Sequence, residues 1–240
     1  MFRQRHETLD ILVNNAGRYE KPDTSLPTFG EQADLIINTN YWGLKNVITG
    51  MMDIFTPGAR VVNTSSHLGH LSLINGEAKK SQILREMLAD PRITEKTLGQ
   101  DLDYFFNFCC FLFPIFADGL MTQFQSLAKV GGWESEGWPN CAYTVSKVAV
   151  NVYTRILQRE FDQEGRGVVI NSIHPGTKHS KIQQQSVIPL EDGAYAIANC
   201  CCIPDKGIKG QILWHNLQPV QWEEAVSRPS LLNSAAFKVN

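Results

Sequence analysis

The chain has 240 residues, 43% hydrophobic and 19% charged, with a net charge of -2. This length and apolar share suit one globular unit with a sizeable core, and the near-neutral balance offers no basic footprint for nucleic acid. Met1 to Glu7 are mostly polar and lack the apolar core of a secretory leader, so a cytoplasmic location is expected.

In chain order, Leu9 to Val13 is an apolar stretch that runs into Asn14-Asn15-Ala16-Gly17. It reads as a buried strand ending in a tight turn whose small residues let a ligand approach the backbone. Glu31 to Met52 reads as a helix, with Ala33, Ile36, Ile37, Tyr41, Leu44, Val47 and Ile48 on one face. Thr56-Pro57-Gly58 then reads as a break. Arg60 to Thr64 is the next strand. Tyr143 to Phe161 is a second long helix, with Gly165 as its stop signal. Val168 to Ile173 reads as a strand ended by His174-Pro175-Gly176. Glu191 to Cys201 predicts a helix and Gly210 to Trp214 a last strand. This alternation predicts an α/β fold, a parallel sheet covered by helices on both faces.

One segment departs from the pattern. Tyr104 to Phe116 is almost wholly apolar, too short to span a membrane, and interrupted by Pro114. A buried accessory helix, a membrane-contacting element and an abnormal insertion are all open readings of it. The tail from Val226 is polar and ambiguous. Five of the six cysteines (Cys109, Cys110, Cys200, Cys201, Cys202) sit in adjacent runs, which suits reduced core residues better than disulfides or zinc ligands; Cys141 stands alone.

The chemistry-bearing residues cluster at the predicted strand ends and on the second helix. Tyr143-x-x-x-Lys147 places a phenol and an ammonium on one helix face. A neighbouring ammonium favours phenolate, which makes tyrosine a usable proton donor or acceptor near neutral pH. Asn63-Thr64-Ser65-Ser66 follows a strand, so its hydroxyls lie at the carboxyl edge of the sheet. A serine there can hydrogen-bond a carbonyl oxygen as charge develops, or simply cap a loop. Asn40 lies inside a helical pattern, where it marks either a bend or polar site or a solvent-facing position. His67-x-x-His70 resembles half a metal site without a third ligand, so a solvated loop is expected.

Taken together and in order, N-N-A-G after a strand, T-N within a helix, N-x-S-S after a strand, Y-x-x-x-K on a helix and P-G after a strand resemble the short-chain dehydrogenase/reductase family. More closely, Phe29-x-x-Gln32-Ala33, Ile93-Thr94-Glu95 and Glu136-Gly137-Trp138-Pro139 resemble its NADPH-dependent carbonyl reductases. The resemblance implies a Rossmann-like doubly wound sheet and reduction of ketones, aldehydes or quinones with NADPH as cofactor. It implies that Tyr143 donates the proton, that Lys147 lowers the tyrosine pKa and binds the nicotinamide ribose, and that Ser66 polarises the carbonyl. Asn40 would support a proton relay through a bound water, and Asn15 would contact the cofactor near its ribose. Lys178, His179 and Ser180 would lie near the carboxamide, and Gln32 would line the substrate pocket.

The chain also departs from the family. The N-terminal T-G-x-x-x-G-x-G loop does not precede Leu9, so the sheet is expected to lack its first strand-helix units. Lys181 and Ile182 replace the acidic residue and methionine that usually follow P-G-x-x-x-T. Asp101 to Gly119 looks inserted. Residues 1–225 are accordingly expected to form one incomplete Rossmann-type domain, with a polar tail over 226–240. The resemblance implies a small-molecule carbonyl substrate, no membrane and a monomer, with association possible through exposed apolar surface. The alternative is a catalytically silent, reductase-derived protein that acts, if at all, by binding a partner.

Overall fold

The computed structural model describes residues 5–19, 28–94, 117–176, 190–204 and 207–223. Strands β1 (Leu9–Asn14), β2 (Phe55–Thr64), β3 (Val169–Ile173) and β4 (Ile212–Leu213) form a four-stranded sheet in the order β1-β2-β3-β4. Every pairing is parallel. Parallel neighbours need a crossover between them, and helices supply it. The fold is α/β and Rossmann-like, as the strand-helix alternation predicts.

The helices are α1 (Phe29–Ile37), α2 (Leu44–Met51), α3 (Ala78–Ala89), α4 (Ala117–Val130), α5 (Ala142–Glu164) and α6 (Leu190–Cys201). Successive residues of β2 point to opposite faces, and the core divides accordingly. Val61 joins Ile170 under Ile36, Ile37, Tyr41, Ile48, Val148 and Val152. Val62 joins Ile173 under Ala196 and Cys200 of α6. Helices therefore cover both faces, the second much more sparsely. Among the described residues β1 is an edge strand, and Ile11 (47% exposed) and Val13 (40%) lie open on it.

The long helix read over Glu31 to Met52 is one helical run with a π-helical stretch, Asn38–Gly43, between α1 and α2. Asn40 and Gly43 are poor α-helix residues, and the extra residue per turn falls where they lie. Helix α5 ends as the sequence predicts. Gly165 adopts the left-handed conformation (φ 70°) and donates its N–H to the Phe161 carbonyl.

Several expectations need correction. Strand β2 starts at Phe55, not Arg60, and runs through Pro57-Gly58. The pairing with β1 jumps from Leu9–Phe55 to Ile11–Arg60, so the segment read as a break is a bulge. Gly58 reaches φ 80° there and donates to the Arg166 carbonyl at 2.9 Å. The last strand is only Ile212–Leu213. Of the stretch read as inserted, 101–119, only Ala117, Asp118 and Gly119 lie among the described residues. Ala117, Asp118 and Gly119 are buried in the first turn of α4, and the Ala117 N–H donates to the Thr94 carbonyl at 3.0 Å. The chain thus leaves at Thr94 and is back beside it at Ala117. The apolar run of 104–116 and the tail of 226–240 lie outside the described residues, as do Cys109 and Cys110. Cys141, Cys200, Cys201 and Cys202 are free. Burial pushes the Cys200 thiol up to about 12, whereas Cys202 is exposed and Cys141 half-buried, so neither of the latter is a core residue.

Candidate active site

The carboxyl ends of β1 and β2 lie side by side, with Asn14 in register with Asn63. An amide ladder fixes that register. Asn14 donates to Asn63 at 2.9 Å, Asn63 to the Thr154 hydroxyl at 3.0 Å, and Thr154 to the Val150 carbonyl at 2.8 Å. A buried polar group is costly unless bonded, so each rung holds the next. Together they join β1, β2 and α5. A second chain of bonds runs from Ser172 of β3 to Asn151 (2.8 Å) and on to the Gly69 carbonyl (2.9 Å). Helix α5 is thereby pinned to three strand ends or the loops after them.

This places Tyr143 and Lys147 over the ends of β1 and β2. The Lys147 ammonium is 3% exposed and donates to the Thr64 carbonyl at 2.7 Å. Burial lowers its pKa from 10.5 to about 8. Its Nζ sits 5.5 Å from the centre of the Tyr143 ring. Tyr143 is half-buried, and the Ser66 side chain is near enough to its phenol to bear on its pKa. The phenol does not show the lowered pKa expected from its lysine neighbour. Burial raises it, the Ser66 side chain opposes that rise, and Cys141 and Tyr19 add smaller upward pushes.

Ser66 caps the short 3-10 helix His67–Gly69, accepting from the Leu68 N–H at 3.2 Å. The capping and carbonyl-facing readings of this serine are therefore compatible, since the same side chain also lies near Tyr143. Asn40 is 1% exposed, which excludes a solvent-facing role. Its amide accepts from the Arg18 N–H (2.6 Å) and donates to the Arg18 carbonyl (2.8 Å) and the Ser146 hydroxyl (2.9 Å). It grips the backbone just past the Asn-Asn-Ala-Gly turn. Asn15 is exposed and accepts from the Thr64 hydroxyl at 3.0 Å. Gly17 faces the middle of the group. A Cβ there would stand 3.5 Å from both Lys147 Nζ and Asn40 Oδ1.

Tyr143, Lys147, Ser66, Asn40 and Asn15 are thus brought together. Gln32 sits half-buried in the first turn of α1, and among the described residues no hydrogen bond joins its side chain to them. Lys178, His179 and Ser180 lie outside the described residues.

The histidine pair is not a solvated loop. His70 is buried, bonded at Nδ1 to Ser72 (2.9 Å) and at Nε2 to the Gln221 carbonyl (3.3 Å). His67 packs edge-on against His174, with ring centres 5.0 Å apart. These rings, with Trp214 and Trp222, line a cavity behind Ser66 that has room for about one water molecule. Burial lowers all three imidazole pKa values, His174 to about 3, so the rings are neutral at physiological pH. No cluster of three or more His, Cys, Asp or Glu among the described residues is placed to hold a metal.

A parallel α/β sheet with a Tyr-x-x-x-Lys helix and a serine at its carboxyl edge is the arrangement that the resemblance to short-chain dehydrogenases implies. The comparisons agree. A family model for short chain dehydrogenase matches residues 1–78. Carbonyl reductase (NADPH) 3 of Rattus norvegicus is 34% identical over 196 residues, covering 80% of this chain and 62% of that one. Carbonyl reductase (NADPH) 1 of Mus musculus is 34% identical over 170 residues, covering 70% and 53%. The solved structure of salutaridine reductase from Papaver somniferum shares the fold, with a TM-score of 0.62 at 22% identity over 88% of this chain and 74% of that one. The chain is similar to members of the short-chain dehydrogenase/reductase family. It spans between about half and three fifths of the length of the carbonyl reductases it matches.

Proposed function

We propose that the chain carries the proton-donating machinery of an NADPH-dependent carbonyl reductase acting on small ketones, aldehydes or quinones. The observation that carries this reading is the buried Lys147 ammonium held 5.5 Å from the centre of the Tyr143 ring, with Ser66 near the neutral phenol. Tyr143 donates its proton to the carbonyl oxygen, and Ser66 hydrogen-bonds the same oxygen as it gains charge. The phenolate left behind is favoured by the Lys147 ammonium and the Ser66 hydroxyl. Asn40 keeps the turn in place and supports the return of the proton to Tyr143.

The residues present fit the nicotinamide-ribose end of the cofactor. An ammonium has three donors, and the Thr64 carbonyl takes one from Lys147. Gly17 leaves open the space beside it that a side chain would fill. Lys147, Tyr143 and Asn15 would hold that end, and Lys178, His179 and Ser180 are assigned to the carboxamide. Bound NADPH supplies the hydride for the carbonyl carbon. Gln32 is assigned to the substrate pocket. The proposed setting is a cytoplasmic monomer whose Rossmann-type domain spans residues 1–225. No helix of the described residues is long and apolar enough to cross a membrane. The silent alternative is not favoured, because the relatives are named reductases and a buried Lys147 ammonium beside Tyr143 supports the reductase reading.

The test is a fluorescence titration with NADPH followed by a quinone reduction assay. Wild-type protein should bind NADPH saturably and turn over. Tyr143→Phe should lose at least about 100-fold in turnover with the titration nearly unchanged. No saturable binding, or a Tyr143→Phe variant as fast as wild type, refutes the reading.

A further inference from the structure

The roles above leave one aromatic side chain beside Tyr143 without a task. Tyr19 follows the Arg18 backbone that Asn40 holds at both N–H and carbonyl. Its ring stands perpendicular to that of Tyr143, with centres 5.1 Å apart. It is nevertheless 52% exposed. Isolated exposed apolar side chains need no explanation, and Val130 and Tyr195 are of that kind. Tyr19 differs in two ways. It touches the proton donor, and a two-bond clamp fixes the residue before it.

We propose that Tyr19 is a substrate-contacting residue that selects carbonyls conjugated to an aromatic ring over saturated ones of the same size. This rests on the reductase reading, because the contact matters only for a carbonyl presented to Tyr143. A carbonyl oxygen bonded to the Tyr143 hydroxyl carries its substituents into the space around that ring. Tyr19 forms one flank of that space. Aromatic pairs favour offset or edge-on contacts with centres about 4.5–7 Å apart, and a saturated ring has no quadrupole to match. The Asn40 clamp lowers the ordering cost of using the Tyr19 ring, because its backbone is already held. Burial and the nearby Cys141 raise the Tyr19 pKa, so the ring meets substrate as a neutral phenol at neutral pH.

The experiment compares acetophenone with cyclohexyl methyl ketone, which differ in ring aromaticity at nearly equal size. The readout is the ratio of their kcat/KM values in wild type, Tyr19→Phe and Tyr19→Ala. Wild type should favour acetophenone. Tyr19→Ala should lower the ratio about two- to tenfold, and Tyr19→Phe should restore it. A residue that merely supports Tyr143 would lower both rates by one factor, so an unchanged ratio overturns the assignment. Saturation-transfer NMR with acetophenone gives a second measurement that needs no turnover. Its ring protons should show transfer in wild type and Tyr19→Phe and lose most of it in Tyr19→Ala. Equal transfer in all three also overturns the assignment. Failure of wild type to reduce either ketone, whatever the NMR shows, marks failure of the reductase reading instead, and the assignment falls with it.

Discussion

Lys147→Met separates what the buried ammonium costs the fold from what it contributes to the site. In the native state its pKa is about 8, below the ordinary 10.5, because burial disfavours the charge. Below pH 8 both native and unfolded chains hold the proton, and the full desolvation penalty is in place. Between pH 8 and 10.5 the unfolded chain still binds the proton that the native chain has released. Stability therefore rises with pH across that window. The gap corresponds to about 3 kcal/mol, at about 1.4 kcal/mol for each pH unit. Lys147→Met removes the titration while keeping an unbranched side chain of similar length. The assay is urea unfolding of both proteins at pH 7, 8.5, 9.5 and 10.5. The wild-type stability minus that of the variant should climb by about 3 kcal/mol from the first to the last. Taking the difference cancels groups that titrate alike in both, Tyr143 among them to first order. A difference that stays flat within about 0.5 kcal/mol, or falls, refutes the buried ammonium.

Asp118→Asn should destabilise by about 3–5 kcal/mol in chemical denaturation, because it removes the carboxylate that pairs with Lys45 and accepts from Tyr41, leaving a largely buried cation. A loss below about 1 kcal/mol would mean that the pair is solvated. Gly137→Ala should cost at least about 2 kcal/mol by thermal or urea unfolding, since the residue sits at φ 91° and a Cβ would meet the Ser81 nitrogen at 2.5 Å. Gly17→Ala should leave stability within about 0.5 kcal/mol, because its Cβ makes only ordinary contacts at 3.5 Å, yet weaken NADPH in the fluorescence titration by filling the space beside Lys147. Unchanged NADPH affinity in that variant would place the cofactor elsewhere.

The strands and the long helix α5 were legible because their signals are local. An apolar run bounded by turn residues is visible within a few positions, and so is a 3.6-residue period ended by Gly165. The parts that escaped depend on distant partners. Pro57-Gly58 reads as a stop, but the Gly58 bond to Arg166 helps carry the strand through it. Helix α3 shows a weak period because lysine, glutamine, arginine and glutamate surround its buried Leu84, Met87 and Leu88. Helix α4 is hard to read because the apolar run before it hides where its period begins. At the site, the Tyr–Lys spacing and the Asn40 and Ser66 positions were readable one by one. The amide ladder was not, because Asn63 and Thr154 are 91 positions apart and neither is unusual where it stands. The inward turn of His70 was hidden for the same reason, since Gln221 comes 151 positions later. Sequence order can suggest which residues meet, but long-range hydrogen bonding decides which polar groups are buried.

The π-helical stretch ties these observations into one mechanical argument. A π turn is a poorer hydrogen-bonded geometry than an α turn, so it persists only where its surroundings hold it. Here three anchors do so. Thr39 donates to the Leu35 carbonyl (2.8 Å), Trp42 to Gln125 of α4 (3.0 Å), and Tyr41 to Asp118 of α4 (2.7 Å). Between the first and last of them sits Asn40, whose amide turns the other way to grip Arg18 and Ser146. The anchors lie on α4 and within the helix itself, while the load lies on the turn after β1 and on α5. The first turn of α4 is also where the chain returns beside Thr94. The placement of the Asn-Asn-Ala-Gly turn, and of Tyr19 against Tyr143, therefore depends on a helix start more than seventy residues further along the chain. That dependence gives Asp118 a physical reason to be an aspartate: a neutral side chain of the same shape could accept from Tyr41 but would leave Lys45 without its charge partner.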